Sequence, residues 1–176
     1  MKKMISSLGI TAALALSMNA LADKLPTPTI IPRPLELTIN DGQFSIESGT
    51  QIFGTKAFKS EAKFLAKAIR KSTGKKLKLN KGKGHGISFV KKAEYAKEGY
   101  GLKVSKAGIV IEASHKAGAF YAVQTLLQSL PNELVVGKKY QGQLIVPSMN
   151  IKDEPRFAWR AFMLDEARHF KGMKEV

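Results

Sequence analysis

The stretch 115–130 does most to limit what this chain can fold into. Ala119, Phe120, Val123, Leu126, Leu127 and Leu130 recur at three- and four-residue intervals and cover one broad face. Ser114 stands at the head of the stretch as a helix N-cap, and Pro131 ends it. A helix with so wide an apolar face has to be covered by a second layer. A similar helix is predicted over 57–71, where Glu61 leads into Phe64, Leu65, Ala68 and Ile69, and Gly74 stands just beyond as a stop.

The rest of the first 130 residues supplies the other layer. After the proline-rich lead-in "KLPTPTIIPRP", which favours an extended chain, Leu35, Leu37 and Ile39 alternate with polar residues. "NDG" at 40–42 has turn chemistry, and Phe44 and Ile46 resume the alternation, so a β-hairpin is predicted here. Short strands follow at 50–53 and 87–90, and a second hairpin pairs 100–104 with 109–112 across "SKAG". The predicted class is α+β, a mainly antiparallel sheet with two helices on one face.

Two further segments stand apart. Residues 1–22 combine a basic start at Lys2 and Lys3, the apolar "ITAALAL", and small residues at Ala20 and Ala22, which is the pattern of a secretory signal cleaved after Ala22. It is too short and too interrupted for a membrane span, and no cysteine follows the cleavage site, so a periplasmic or secreted protein with no membrane anchor is expected. With no cysteine anywhere, stability has to come from burial alone. From Pro131 the composition turns polar, and "LIVPSMNIKDEPRF" reads as an extended connection. The expected division is a signal at 1–22, an α+β domain at 23–150, and a new unit from 151 to 176. That unit opens with a fully buried type of strand at 161–164, "AFML".

The net charge of +15 raises nucleic-acid binding, but 24 of the 29 basic residues are lysine. Fork-shaped recognition of phosphate and bases favours arginine, and the lysine-rich stretch 71–83 has no interleaved stacking aromatics. It reads as a solvated surface with Leu77 and Leu79 turned inward, and no nucleic-acid partner is expected. Glu112/His115 and Glu166/His169 share a Glu-x-x-His spacing known from di-metal bundles, yet both glutamates adjoin strands, so no metal site is predicted. "GKGHG" at 82–86 lacks the following helix that a phosphate loop needs, and His85 and His115 have no nucleophile beside them. The ionisable cluster "DEARHF" at 165–170 is different in kind. If 161–164 is a parallel-barrel strand, Asp165, Arg168 and His169 lie at its C-terminal end, where such barrels carry their chemistry; otherwise Arg168 is half of an ordinary ion pair.

"DEPRFAWRAFMLDEARHF" resembles the segment that opens the catalytic barrel of glycoside hydrolase family 20, the β-N-acetylhexosaminidases, in its Pro-Arg-Phe, its aromatic-Arg and its Asp-x-x-Arg-His, in that order. Upstream, "IIPRPLELTINDGQFSI", "EGYGLKV" and "GAFYAVQTLLQSL" are similar to the small α+β domain that precedes the barrel in that family. Ala161 departs from the family's usual glycine. The resemblance implies the N-terminal portion of a retaining enzyme that removes terminal β-linked N-acetylglucosamine or N-acetylgalactosamine by substrate-assisted catalysis, without a metal or organic cofactor. It implies that Arg168 holds the hydroxyls of the terminal N-acetylhexosamine, with Asp165, His169 and Arg160 supporting it. The family's catalytic Asp-Glu pair falls further along the barrel than this sequence runs. The competing class is a stand-alone exported α+β module that binds glycans or polyanions through its basic face; the buried-type strand at 161–164 speaks against it.

Overall fold

Segments that alternate with a period of two and segments with helical spacing separate into two layers in the computed structural model, which describes residues 28–54, 56–82 and 84–163. Chain order is β1 (Glu36–Ser45), β2 (Gln51–Phe53), α1 (Lys59–Thr73), β3 (Lys78–Leu79), β4 (Gly86–Lys91), β5 (Tyr100–Ser105), β6 (Gly108–Ala113), α2 (Lys116–Gln128), α3 (Asn132–Val135) and β7 (Ile145–Asp153). The strands form one sheet in the order β1-β7-β5-β6-β4-β2-β3.

That sheet is mixed rather than mainly antiparallel. β1-β7, β7-β5 and β5-β6 are antiparallel, while β6-β4, β4-β2 and β2-β3 are parallel. The difference comes partly from α1, which carries the chain back over the sheet between β2 and its neighbours β3 and β4, so those strands run the same way, and partly from β5, to which β4 and β6 both run opposite. There are also three helices among the described residues, α3 being a single short turn.

The hairpin at β5-β6 forms as expected, with Tyr100 opposite Ala113 and Ser105 opposite Gly108. The hairpin expected around 40–42 does not form. Residues on both sides of it belong to the one strand β1, and 40–42 make a bulge: Ile39 faces Met149 and Gln43 faces Pro147, so the spacing on β1 exceeds that on β7. Pro147 has no N–H to give the ladder, which is where a bulge costs least, and Gly42 takes the positive φ of +106° that the detour requires. β7 itself lies inside the sheet between β1 and β5, although its sequence reads as an extended connection. Its Val146, Met149 and Ile151 are buried.

The core lies between the sheet and the helices. Leu65 and Ile69 of α1 and Val123 and Leu126 of α2 are fully buried, in one cluster with Ile87, Leu102, Ile109 and Ile111 of the strands. Each such side chain contributes roughly 1.5–3 kcal/mol by leaving water. Gly118 lets α2 seat closely: a Cβ there would stand 2.1 Å from the Gly99 carbonyl oxygen. The N-cap of α2 is His115, whose Nδ1 accepts from Ala117 N at 3.2 Å, and not Ser114, whose hydroxyl donates instead to the Ala96 carbonyl. Imidazole accepts as a hydroxyl does, and Ser114 has the nearer alternative partner. Phe64 and Phe120, expected in the core, are 40% and 39% exposed and pack on each other with ring centroids 5.4 Å apart, because both sit where the faces of α1 and α2 turn outward. Leu77 is buried, but Leu79, on the edge strand β3, is 36% exposed.

The buried strand expected at 161–164 does not appear in its described part, 161–163. Residues 161–163 have no regular structure, and Phe162 and Met163 are exposed. A strand exists only beside a partner that takes up its N–H and C=O groups, and none of the described residues pairs with this segment. Leu164 and residues 165–176 lie outside the described residues, as does the signal-like segment 1–22.

Candidate functional site

A cleft of about 580 Å³ lies between the lead-in at 30–35, helix α2, and the segment that leaves β7 at 154–160. Its floor is a hydrogen-bonded chain. The Tyr100 hydroxyl lies 2.5 Å from Thr125 Oγ1 and donates to Asp153 Oδ2 at 3.1 Å. Burial pushes the Tyr100 phenol well above its ordinary value, so it stays a neutral donor. The other carboxylate oxygen of Asp153 accepts from Leu35 N at 3.1 Å, and Gln128 Oε1 accepts from Ile31 N at 2.9 Å. Strand end and helix thus fix the course of the lead-in.

A second group fixes the departing segment. Arg160 donates through Nη2 to Glu98 Oε1 at 2.8 Å and to the Tyr121 hydroxyl at 3.2 Å, and through Nη1 to the Phe157 carbonyl. The Arg160 bond, followed by the one from Tyr121, holds the Glu98 carboxyl below its usual range. Apolar side chains crowd the rim and the adjoining segment yet face solvent: Ile31 and Leu35 on one side, Phe157, Trp159, Phe162 and Met163 on the other. Both oxygens of Asp153 are occupied by local donors, so the cleft lacks a free carboxylate pair for acid–base work on that floor. Its chemistry is that of a joint: polar pins beneath an apolar rim.

On the opposite face of the sheet, Glu112 is 5% exposed and accepts from Lys92 at 2.9 Å, Tyr95 at 2.9 Å and Lys103 at 3.2 Å. Burial alone would raise its pKa, but those three donors outweigh it and hold the carboxyl low. The Tyr95 phenol is pushed up to about 12, by burial first and by Glu112 second. Glu112 and His115 therefore serve separate local structures. No group of three or more potential ligands close enough for a metal ion occurs among the described residues.

Of the four residues singled out from the sequence for substrate binding and its support, only Arg160 falls among the described residues; Asp165, Arg168 and His169 lie outside them. The cleft floor was not legible beforehand. Thr125 is a lone polar residue on an otherwise apolar helix face, a weak signal, and nothing local marks Asp153 as its neighbour.

Residues 27–154 match the model of glycosyl hydrolase family 20, domain 2. The chain belongs to glycosyl hydrolase family 20. It is 39% identical over 153 residues to a β-hexosaminidase of Porphyromonas gingivalis, covering 84% of this chain and 20% of that protein. With a Vibrio vulnificus β-hexosaminidase the identity is 34%, over 84% of this chain and 16% of the relative. A mutant Streptomyces plicatus β-hexosaminidase in complex with its product GlcNAc superimposes with a TM-score of 0.73 at 34% identity, covering 86% of this chain and 32% of that one. The chain thus spans between a sixth and a third of these family 20 relatives, and the part they share is the α+β domain. The Streptomyces protein binds GlcNAc in its structure.

Proposed function

We propose that this chain is the N-terminal portion of an exported, retaining β-N-acetylhexosaminidase, and that its α+β domain, which includes β7 through Asp153, serves as the mount for a catalytic barrel that follows it. The match of residues 27–154 to domain 2 of glycosyl hydrolase family 20, over so small a share of each relative, carries this reading. The exposed apolar rim supports it, since Phe157, Trp159 and Phe162 present a docking face at the place where the chain leaves the domain. Arg160 anchors that exit, and so acts behind any sugar site rather than in it.

In the proposed enzyme, the acetamido oxygen of the substrate attacks the anomeric carbon, a glutamate in the barrel protonates the leaving group, and an aspartate orients the acetamido group. Arg168 binds two neighbouring sugar hydroxyl oxygens with directed guanidinium N–H groups, and Asp165 and His169 hold it in place. Residues 1–22 direct export and are removed after Ala22. The 176-residue chain by itself is expected to leave an aryl β-N-acetylglucosaminide uncleaved. A form continued through the barrel is expected to cleave it, and Arg168→Lys in that form should lower kcat/KM by about tenfold or more with folding intact, because a point charge cannot replace two directed bonds. Full activity of the Arg168→Ala enzyme would remove Arg168 from the site, and absence of hydrolysis by the continued wild type would refute the assignment.

A further inference from the structure

The positive charge of this protein is not spread evenly. Between Lys56 and Lys91 the sequence holds eleven lysines and one arginine against a single carboxylate, Glu61, which accounts for eleven of the fifteen net charges. The fold gathers this segment at one end of the molecule. β3 is an edge of the sheet, α1 packs beside it, and the strands whose ends line the cleft, β7 and β5, lie toward the opposite edge. On α1, Lys59, Lys63, Lys67 and Lys71 repeat every four residues and are all exposed, so they form one row down the outward side of the helix. Lys76, Lys78 and Lys81 extend the row along the β3 edge, also exposed. Glu61 is buried at the foot of the helix and does not face this row.

Such a row opposes folding, since like charges four apart on a helix repel by a few tenths of a kcal/mol each. No ion pair among the described residues involves Lys59, Lys63, Lys67 or Lys71. A linear polyanion laid along α1 would neutralise the row and release its own counterions. The row spans about 18 Å at 1.5 Å per residue, long enough for several charged units of a polymer.

We infer that the outward face of α1 and the adjoining β3 edge form a binding surface for an acidic polysaccharide, separate from the cleft and from any hydrolytic site. Ammonium groups on flexible stems suit sulfate, carboxylate or phosphate groups spaced along a sugar chain, without demanding a planar fork. The row lacks the several arginine forks and free stacking aromatics that nucleic acid favours: Arg70 is its one guanidinium, and Phe64, its one aromatic neighbour, packs on Phe120. A lipid surface would need several free apolar side chains among the lysines, but Leu65 and Ile69 of α1 are spent on the core and the half-exposed Phe64 is packed against Phe120. Membership in a glycan-hydrolysing family makes a polysaccharide the fitting polyanion, and the inference does not require the chain itself to cleave anything.

The test uses the 176-residue protein and dextran sulfate, followed by titration calorimetry, with neutral dextran, a single-stranded oligonucleotide and phosphatidylglycerol vesicles alongside. Dextran sulfate should bind, neutral dextran should not, and affinity should fall steeply between about 50 and about 200 mM salt. The variant Lys59→Gln/Lys63→Gln/Lys67→Gln should lose about tenfold or more, while Lys97→Gln/Lys106→Gln/Lys116→Gln, which removes the same charge elsewhere, should lose no more than about threefold. All six side chains are exposed, so circular dichroism should show both variants folded. Equal losses in the two variants would reduce the effect to net charge and overturn the surface. Tighter binding of the oligonucleotide or the vesicles would overturn the polysaccharide, and no binding by the wild type would overturn both.

Discussion

Glu112 shows how one residue can bind several elements of the sheet's outer face. It accepts from a lysine on β5, from a lysine just past β4 and from the phenol of Tyr95, and is itself nearly buried. Because its donors hold the folded carboxyl below its usual value, the stability it contributes is present above the unfolded glutamate pKa and is lost as pH falls through the lower, folded one. Glu112→Gln should therefore cost about 1–2 kcal/mol at neutral pH, discounted for the exposure of its lysine partners. The gap between wild type and variant should shrink in denaturant melts as pH drops below about 4. A gap that stays constant with pH would mean that packing, and not charge, is what Glu112 supplies. This residue attracted attention in the sequence only as half of a Glu-x-x-His spacing, since spacing says nothing of partners drawn from other strands.

At the scale of elements, helices and one tight hairpin were legible, and the pairings of strands distant in sequence were not. The three- and four-residue spacing located α1 and α2 to within a few residues, and the "SKAG" hairpin formed as read, because both signals are local. The β1 bulge, the parallel half of the sheet and the interior position of β7 depend on what lies across the ladder. Pro147 cannot announce from its own strand that it will face Gln43. The width of the helix faces was overdrawn for a related reason: Phe64 and Phe120 lie at the margins, and only the packing of α1 against α2 leaves them half in water. Paired truncations test that distinction. Leu126→Ala, at a fully buried position, should lose about 2–5 kcal/mol of unfolding free energy. Phe120→Ala should lose less than about 1.5 kcal/mol, mostly its contact with Phe64. Similar losses at both sites, measured in urea melts, would return Phe120 to the core.

Seen whole, the molecule has two unlike ends. One carries the lysine row, and the other carries the pinned lead-in, the Glu98–Tyr121–Arg160 anchor and a run of bare apolar side chains. Exposed phenylalanine and tryptophan within one short segment are an association liability for a free domain and an asset for a domain that docks, which is the physical content of the mount proposed above. If that segment serves contacts outside the α+β domain, it should add nothing to the domain's own stability. Trp159 makes the point measurable, being 83% exposed and the sole tryptophan in the sequence. Its fluorescence in the 176-residue chain should be quenched by acrylamide nearly as well in folded as in urea-unfolded protein. The variant Phe157→Ser/Trp159→Ser/Phe162→Ser should keep its unfolding free energy within about 0.5 kcal/mol of wild type, followed by far-ultraviolet circular dichroism. It should also self-associate less in sedimentation at high concentration, since the apolar patch is gone while the Arg160 anchor remains. A loss of stability comparable to that of Leu126→Ala would show that these side chains belong to the domain's own core, and the docking face would have to be sought elsewhere on its surface.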